Sequence, residues 1–464
     1  MTSIRITAFK LHLPFVFSLM LLMFVSSAAV FAQQPGADGL GDRLYPRLGN
    51  GGYDVQHYSI NLAFKPESNT IAATAVLEAV ALLDLASFNL DLYELTVNSV
   101  RVDDIEATFT REEAELVISP AQSIPAGAAF QIAVTYAGVP QPIVDPAVPF
   151  VKLGWQEWDD GYFAAVSEPS GSMNWFPCNN HPLDKATYTL RIAVPRPLTA
   201  VANGVLSETI ANDDGTRTFV WEMEQPMATY LATVAIGDFV AARDNSGIVP
   251  IRNFFPTGAS DASIAGYDVT GDMMVWLSDM LGPYPFGAYG VVVIPGFPAA
   301  LETQSISIFG ASGADELVLL HELLHQWFGN SVTLSKWSDA WLHEGFATYF
   351  MALWLGEQYG AGAFSSFISS LLTSGTALSA PGNPEKTDLF GWSVYARGAL
   401  VLHALRGEVG DETFFEILRT FYSENAYGNV ATTDFIAAAE RISERELDDL
   451  FDAWLYGERI PDLP

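Results

Sequence analysis

The sequence predicts a multidomain protein: a β-rich N-terminal part, then an α+β, mostly helical C-terminal part. Three observations carry this. Apolar residues alternate with period two from Tyr58 to about Val240, and they recur at helical spacing from Asp315 onward. The chain has 464 residues, more than the roughly 100–200 of one domain. Half the residues are hydrophobic, enough for sizeable cores, which excludes a disordered chain, a coiled coil and a collagen-like fibre.

Residues 1–32 read as a secretory signal peptide. Arg5 and Lys10 give a positive start, Phe15–Val25 is an apolar core, and Ser26, Ser27, Ala28 and Ala29 follow. Val30-Phe31-Ala32 before Gln33 is the expected cleavage site. Left uncleaved, Leu11–Ala32 is long enough to anchor the chain in a bilayer. No later stretch of about 18 apolar residues reads as a spanning helix. The expectation is an exported protein, secreted or periplasmic, membrane-associated only if this segment is retained.

The expected N-terminal domain spans residues 40–245. In it, Tyr58, Ile60, Leu62 and Phe64 alternate with Ser59, Asn61 and Ala63. The same alternation runs through Phe88–Leu92, Phe130–Tyr136 and Tyr188–Val194. Gly, Pro and Asp turns separate these strands, as in a largely antiparallel sheet. The second domain spans residues 246–464. Val291–Ile294 is a short apolar strand, and Ser305–Phe309 reads as another. From Asp315, Leu317, Leu320, Leu324, Trp327 and Phe328 mark a helix. Further helices are expected at Ala396–Arg406, Thr413–Tyr422, Thr433–Ile442 and Arg445–Tyr456. No low-complexity linker separates the two domains.

Charge and cysteine content narrow the chemistry. Acids outnumber bases 54 to 22, a net charge of -32. That argues against nucleic acid as a partner, because phosphate binding needs clustered Lys and Arg. The single cysteine, Cys178, excludes an intrachain disulfide and a Cys-rich metal site.

His321-Glu322-Leu323-Leu324-His325 is the chemically informative run. Residues i and i+4 share a helix face, so both imidazoles can reach one zinc ion at about 2.0–2.1 Å. Glu322 is then placed as general base for the attacking water. With only seven histidines in the chain, a chance match is rare. A catalytic zinc takes three protein ligands, and the third should lie nearby on another element. Glu344 lies 19 residues after His325, where Trp341–Ala347 reads as the start of a second helix. An acid there could also serve only the helix dipole. His343 is the rival ligand, but it would face away if Glu344 faces the metal.

The block His321–Phe350 resembles the zinc aminopeptidase N-like family of gluzincin metallopeptidases, which use H-E-x-x-H-x18-E. Leu48–Tyr58 is similar to the start of that family's opening strand. Glu168–Tyr188 is similar to its E-P-x-x-A-R…P-C-x-D-x-P…K-A-x-Y stretch, with Ser172 and Met173 in place of the A-R pair. Phe451–Pro464 resembles the close of the catalytic domain. The resemblance covers nearly the whole chain after the leader. It implies a saddle- or sandwich-like N-terminal β domain and a thermolysin-like catalytic domain, a short form with no room for the family's large C-terminal helical domain.

The resemblance also implies three further site residues. Glu302, in Ala299-Ala300-Leu301-Glu302-Thr303, takes the glutamate of G-x-M-E-N, which grips the substrate's α-amine. Ala299 and Thr303 depart from that pattern. Glu168 matches a second amine-binding glutamate, with Val166 at an upstream glutamine position. Tyr395 matches the tyrosine of Y-x-K-G, with Arg397 for lysine, and would donate to the developing oxyanion. Asp339 could orient a histidine ligand or cap the helix carrying Glu344, and the cap is favoured. His181 and Cys178 are expected to be structural.

The reading is a zinc-dependent aminopeptidase using one Zn2+ and acting on peptides with a free N-terminus. The competing readings are an endopeptidase or another zinc hydrolase on the same scaffold, such as an epoxide hydrolase, and an inactive extracellular binding protein. Oligomeric state is not legible in the sequence.

Overall fold

Alternation in the N-terminal part works as a burial code. Along Tyr53–Lys65, Tyr58, Ile60, Leu62 and Phe64 are buried, while Asn61, Ala63 and Lys65 are exposed. Successive side chains of a strand point to opposite faces, so one face of the sheet is core and the other meets water. The computed structural model describes residues 34–244, 247–311, 315–373 and 379–463. The expected leader lies outside them.

The main sheet has eight strands in the order Val205–Ala211, Thr216–Ala228, Lys185–Pro195, Tyr53–Lys65, Thr70–Ala81, Ala129–Gly138, Thr96–Val102 and Ile105–Glu106. It is antiparallel, as expected, except where Lys185–Pro195 runs parallel to Tyr53–Lys65, with Leu190 opposite Ile60. Leu85–Asp91, Glu115–Ser119 and Thr108–Glu112, with Gln34–Pro35, make a second sheet. Gly154–Glu157, Phe163–Val166, Val234–Gly237 and Thr199–Ala202 make a third. The turn after Val166, which carries Glu168, is buried through Asn174.

The catalytic part opens with a five-stranded sheet: Phe239–Asp244, Ile251–Pro256, Val291–Ile294, Ser307–Gly310 and the edge strand Ala300–Leu301. Its first strand lies before the expected boundary at 245, yet it pairs with Ile251–Pro256. Nine α-helices follow among the described residues: α1 (Asp261–Ala265), α2 (Thr270–Leu281), α3 (Glu316–Leu324), α4 (Trp341–Tyr359), α5 (Ala361–Thr373), α6 (Trp392–Val409), α7 (Asp411–Asn425), α8 (Thr432–Ser443) and α9 (Asp448–Phe451). None of them is long and apolar enough to cross a membrane. The last expected helix is shorter than its periodicity suggests: it ends at Phe451 and continues as a wider π-turn over Asp452–Tyr456.

One continuous apolar core joins strands and helices. Trp337 sits at the junction, edge-on to Tyr45 and Tyr230 from the β part and to Phe390 from the helical part. Lys185, in the main sheet, donates to the carbonyls of Asn330 and Ser331 at 3.0 and 2.9 Å, just beyond α3. The β part therefore braces the segment that follows the zinc-motif helix.

Candidate active site

Asp315 starts α3 by accepting hydrogen bonds from the backbone N–H groups of Leu317 and Val318, at 2.9 and 3.2 Å. Such a cap satisfies two of the four free donors of a helix start. The helix carries His321 and Glu322 and ends with His325 as its C-terminal cap. Helix α4 presents Glu344 from its first turn, where the helix dipole favours a carboxylate.

The ligand atoms of His321, His325 and Glu344 all lie within 4.8 Å of one another. Glu344 Oε2 is 3.0 Å from His321 Nε2 and 3.6 Å from His325 Nε2. The Nδ1–H of His325 donates to the Phe328 carbonyl at 3.1 Å, which fixes the tautomer and leaves Nε2 free to ligate. Two imidazole nitrogens and one carboxylate make the His2Glu set of a catalytic zinc site, so the residues present fit that metal. His343 points elsewhere: its Nε2 accepts the Leu334 N–H at 3.1 Å, and burial holds its pKa down to about 3.

Three further carboxylates converge on this set. Glu168, Glu302 and Glu322 are 9%, 4% and 6% exposed, so all are buried. Burial, and then the charge of Glu302, pushes Glu168 and Glu322 well above the usual carboxylate range. Glu302 is raised as well, by burial against the opposing pull of His325. Glu344 goes the other way: burial opposes its charge, but the neighbouring His325 and the His321 contact at 3.0 Å outweigh that and hold it low. Tyr395, from the first turns of α6, lies parallel to the His321 ring at 5.9 Å. Burial and the surrounding carboxylates raise its pKa, so its phenol stays a donor.

Glu302 follows the edge strand and is held from behind. Its backbone carbonyl accepts from Gln326 Nε2 at 3.2 Å and from Asn330 Nδ2 at 2.7 Å. Gln326 Oε1 also accepts the Ser305 N–H at 2.8 Å. Asn203, from the β part, donates to the Gln304 carbonyl at 2.8 Å. The Thr303 hydroxyl donates to the Ile306 carbonyl, so this residue closes its own turn. None of Gln326, Asn330 and Asn203 stood out in the sequence. The one available signal was neutral polar side chains within and just after an apolar zinc-motif helix.

Other expectations need adjusting. Asp339 does not cap α4; its carboxylate accepts from the N–H and hydroxyl of Thr432, at 3.2 and 2.9 Å, and so starts α8. His181 meets Asp42 at 3.3 Å in the interior, and Asp42 also accepts the Trp337 N–H. Ser172 and Met173 are both buried, and the Ser172 hydroxyl donates to the Thr229 carbonyl at 2.8 Å. Arg397 points away from the metal ligands: its guanidinium donates to the carbonyls of Ala453, Trp454, Gly457 and Arg459.

A β-rich domain, a helical domain and this His2Glu set, with the Glu322 carboxylate buried beside it, are the features of a zinc metallopeptidase. Residues 54–231 match the peptidase M1 N-terminal domain and residues 266–454 match the peptidase family M1 domain. The chain belongs to the M1 peptidase family. It is similar to the M1 zinc metallopeptidase of Deinococcus radiodurans, at 30% identity and a TM-score of 0.86, over 92% of this chain and 99% of that one. That structure holds a mutant bound to a Tyr-Ser-Ala substrate. Among curated relatives, the chain is 28% identical to aminopeptidase M1-B of Oryza sativa subsp. japonica, over 80% of this chain and 46% of the relative. It is also 28% identical to glutamyl aminopeptidase of Bitis rhinoceros, over 63% of this chain and 34% of the relative. The chain thus spans less than half the length of these two relatives.

Proposed function

We propose that the protein is a zinc-dependent aminopeptidase that hydrolyses the N-terminal peptide bond of peptides. One observation carries this reading: two buried carboxylates, Glu168 and Glu302, stand beside the His2Glu set without belonging to it. Glu302 Oε1 is buried and has no hydrogen-bond partner among the described residues. A buried carboxylate is costly unless paired, and an α-ammonium is the pair that only a peptide's N-terminus offers.

In this mechanism Glu168 and Glu302 hold the ammonium and so fix which bond lies over the metal site. His321, His325 and Glu344 hold zinc, which supplies a Lewis acid for the scissile carbonyl and lowers the pKa of water. Glu322 takes the proton from the attacking water and delivers it to the leaving amine. Its raised proton affinity suits a group that must both accept and release a proton near neutral pH. Tyr395 donates to the oxyanion as charge develops there.

The test is a panel of aminoacyl fluorogenic amides, each supplied with a free and an N-acetylated amine. Cleavage of the free forms alone is the expected result. Cleavage of the acetylated forms would overturn the amine-anchoring roles and make the protein an endopeptidase.

The same reading divides the chain into a signal peptide at residues 1–32, a β domain at 40–245 and a catalytic domain at 246–464. It places the protein outside the cytoplasm, secreted or periplasmic. N-terminal sequencing of exported protein tests this, with Gln33 expected as the first residue.

A further inference from the structure

Burial falls along a row of side chains that leads away from the candidate metal ligands. The four carboxylates at its inner end are 4–9% exposed. From His321, whose side chain is 12% exposed, a row of rings leads outward. Tyr395 lies 5.9 Å from the His321 ring, and Trp392 lies 6.3 Å from Tyr395, each pair only 13° from parallel. Trp392 is the next ring of the row and is 49% exposed. It is the first residue of α6, one helical turn before Tyr395, so the two rings share a helix face.

We propose that Trp392 is a specificity-determining residue. It is the platform for the side chain of the peptide's second residue, the first on the leaving side, and selects flat aromatic side chains there. The inference rests on the aminopeptidase reading, which fixes the direction of the chain. An N-terminus held by Glu168 and Glu302 occupies the inner end. The scissile carbonyl then lies against the metal ligands and Tyr395, and the chain beyond it runs toward the exposed end of the row. A half-exposed indole stacked parallel to a buried phenol presents a π-face and an apolar edge, and it needs little reorganisation to receive a ring. Such aromatic pairs are worth about 0.5–1.5 kcal/mol beyond buried area, which corresponds to about two- to thirteenfold in kcat/KM.

The experiment compares free tripeptides Leu-Xaa-Gly, with Xaa as Gly, Leu, Phe or Trp, by product chromatography. The readout is the ratio of kcat/KM for each Xaa to that for Gly, taken within each variant. This ratio cancels general effects on folding or on Tyr395. Wild type should favour Phe and Trp by about two- to thirteenfold, more than Leu. Trp392→Ala should bring the ratio close to one, and Trp392→Phe should restore most of it. Tyr359→Ala, an exposed aromatic at the far end of α4, should keep the wild-type ratio. A wild-type ratio near one, or a preference that survives Trp392→Ala, overturns the proposal. N-acetylated Leu-Phe-Gly run in parallel separates the two readings. Its cleavage would overturn the amine anchor, whereas loss of the aromatic ratio alone leaves that anchor standing.

Discussion

Gly345→Ala should cost the enzyme far more activity than stability. Gly345 follows the metal-site glutamate on α4, and Gly398 lies one turn beyond Tyr395 on α6. A Cβ on Gly345 would sit 2.7 Å from the carbonyl carbon of Gly398 and 2.8 Å from its Cα. A Cβ on Gly398 would sit 2.9 Å from the Gly345 Cα. Carbon atoms pack at about 3.5–4.0 Å, so the two helices must part by about 1 Å at their crossing. Both contacts are backbone, and no side chain can swing aside to relieve them. The overpacking costs about 1–3 kcal/mol, offset by the roughly 1 kcal/mol that alanine gains over glycine inside a helix. The net loss of about 0–2 kcal/mol is small beside a typical stability of about 5–15 kcal/mol. The same displacement carries Glu344 away from Tyr395, and an error of about 1 Å in a reacting constellation costs about 100-fold. The assay is kcat/KM on a free aminoacyl amide, with zinc content by mass spectrometry and a thermal melt on the same preparation. A folded protein with about 100-fold lower kcat/KM is expected. Gly345→Ala/Gly398→Ala should lose less than the sum of the singles, because one separation accommodates both methyls. Near-wild-type kcat/KM in Gly345→Ala would refute the claim that this crossing sets the site.

Other outcomes follow from the same geometry. Glu322→Gln should lower kcat by about 100- to 10,000-fold with zinc content unchanged, since it removes the base and no ligand. Tyr395→Phe should lower kcat by about 100- to 1,000-fold with little change in KM, which separates oxyanion donation from substrate binding. Arg397→Lys should cost about 3 kcal/mol in thermal or denaturant unfolding, because an ammonium cannot reach all the carbonyls that the guanidinium spans. Stability should fall as pH rises from about 4 through about 8. Burial raises Asp184 from 3.8 to about 8 and Glu115 from 4.5 to about 7, so between those limits the folded state holds protons that the unfolded state releases. Melts from pH 5 to 8.5 check this at high salt, which screens the exposed acids but not these buried ones, and Asp184→Asn should flatten the slope.

Much of this architecture was legible because it is written in local periodicity. The strand Tyr53–Lys65 buries alternate residues, and α7 and α8 extend only a few residues past the stretches their apolar spacing marked. The zinc motif was legible for the same reason: four residues on one helix face bring His321 and His325 together. What the sequence left unread depends on distant partners. Asp339 reads as a cap for α4, the helix next to it, and nothing near it says that its partner is instead Thr432, 93 residues away. The Arg397 carbonyls lie 56–62 residues further on. Helix α5 escaped notice because its Ser-rich sequence has weak helical propensity and buries only Ile368 and Leu371. The glycine pair at the α4–α6 crossing leaves no pattern at all, since each glycine matters only through the other.

The zinc motif alone does not choose between cutting inside a peptide and cutting at its end. His321, Glu322, His325 and Glu344 sit on two helices of the catalytic part and would serve either reaction. What limits the choice comes from outside those helices. Glu168 is delivered by a buried turn of the β part, and Glu302 follows an edge strand, in a turn whose next stretch is pinned by Asn203 of that same part. Lys185 ties the main sheet to the segment just beyond α3. On the proposed reading, the two carboxylates that would receive a substrate's N-terminus are positioned by both parts, Glu168 by the β part and Glu302 by Gln326 and Asn330 with Asn203 behind the next turn, while the metal ligands are positioned by the helical part alone. A change that loosens their junction, at Trp337 or Lys185, acts on the register of the substrate before it acts on the metal site.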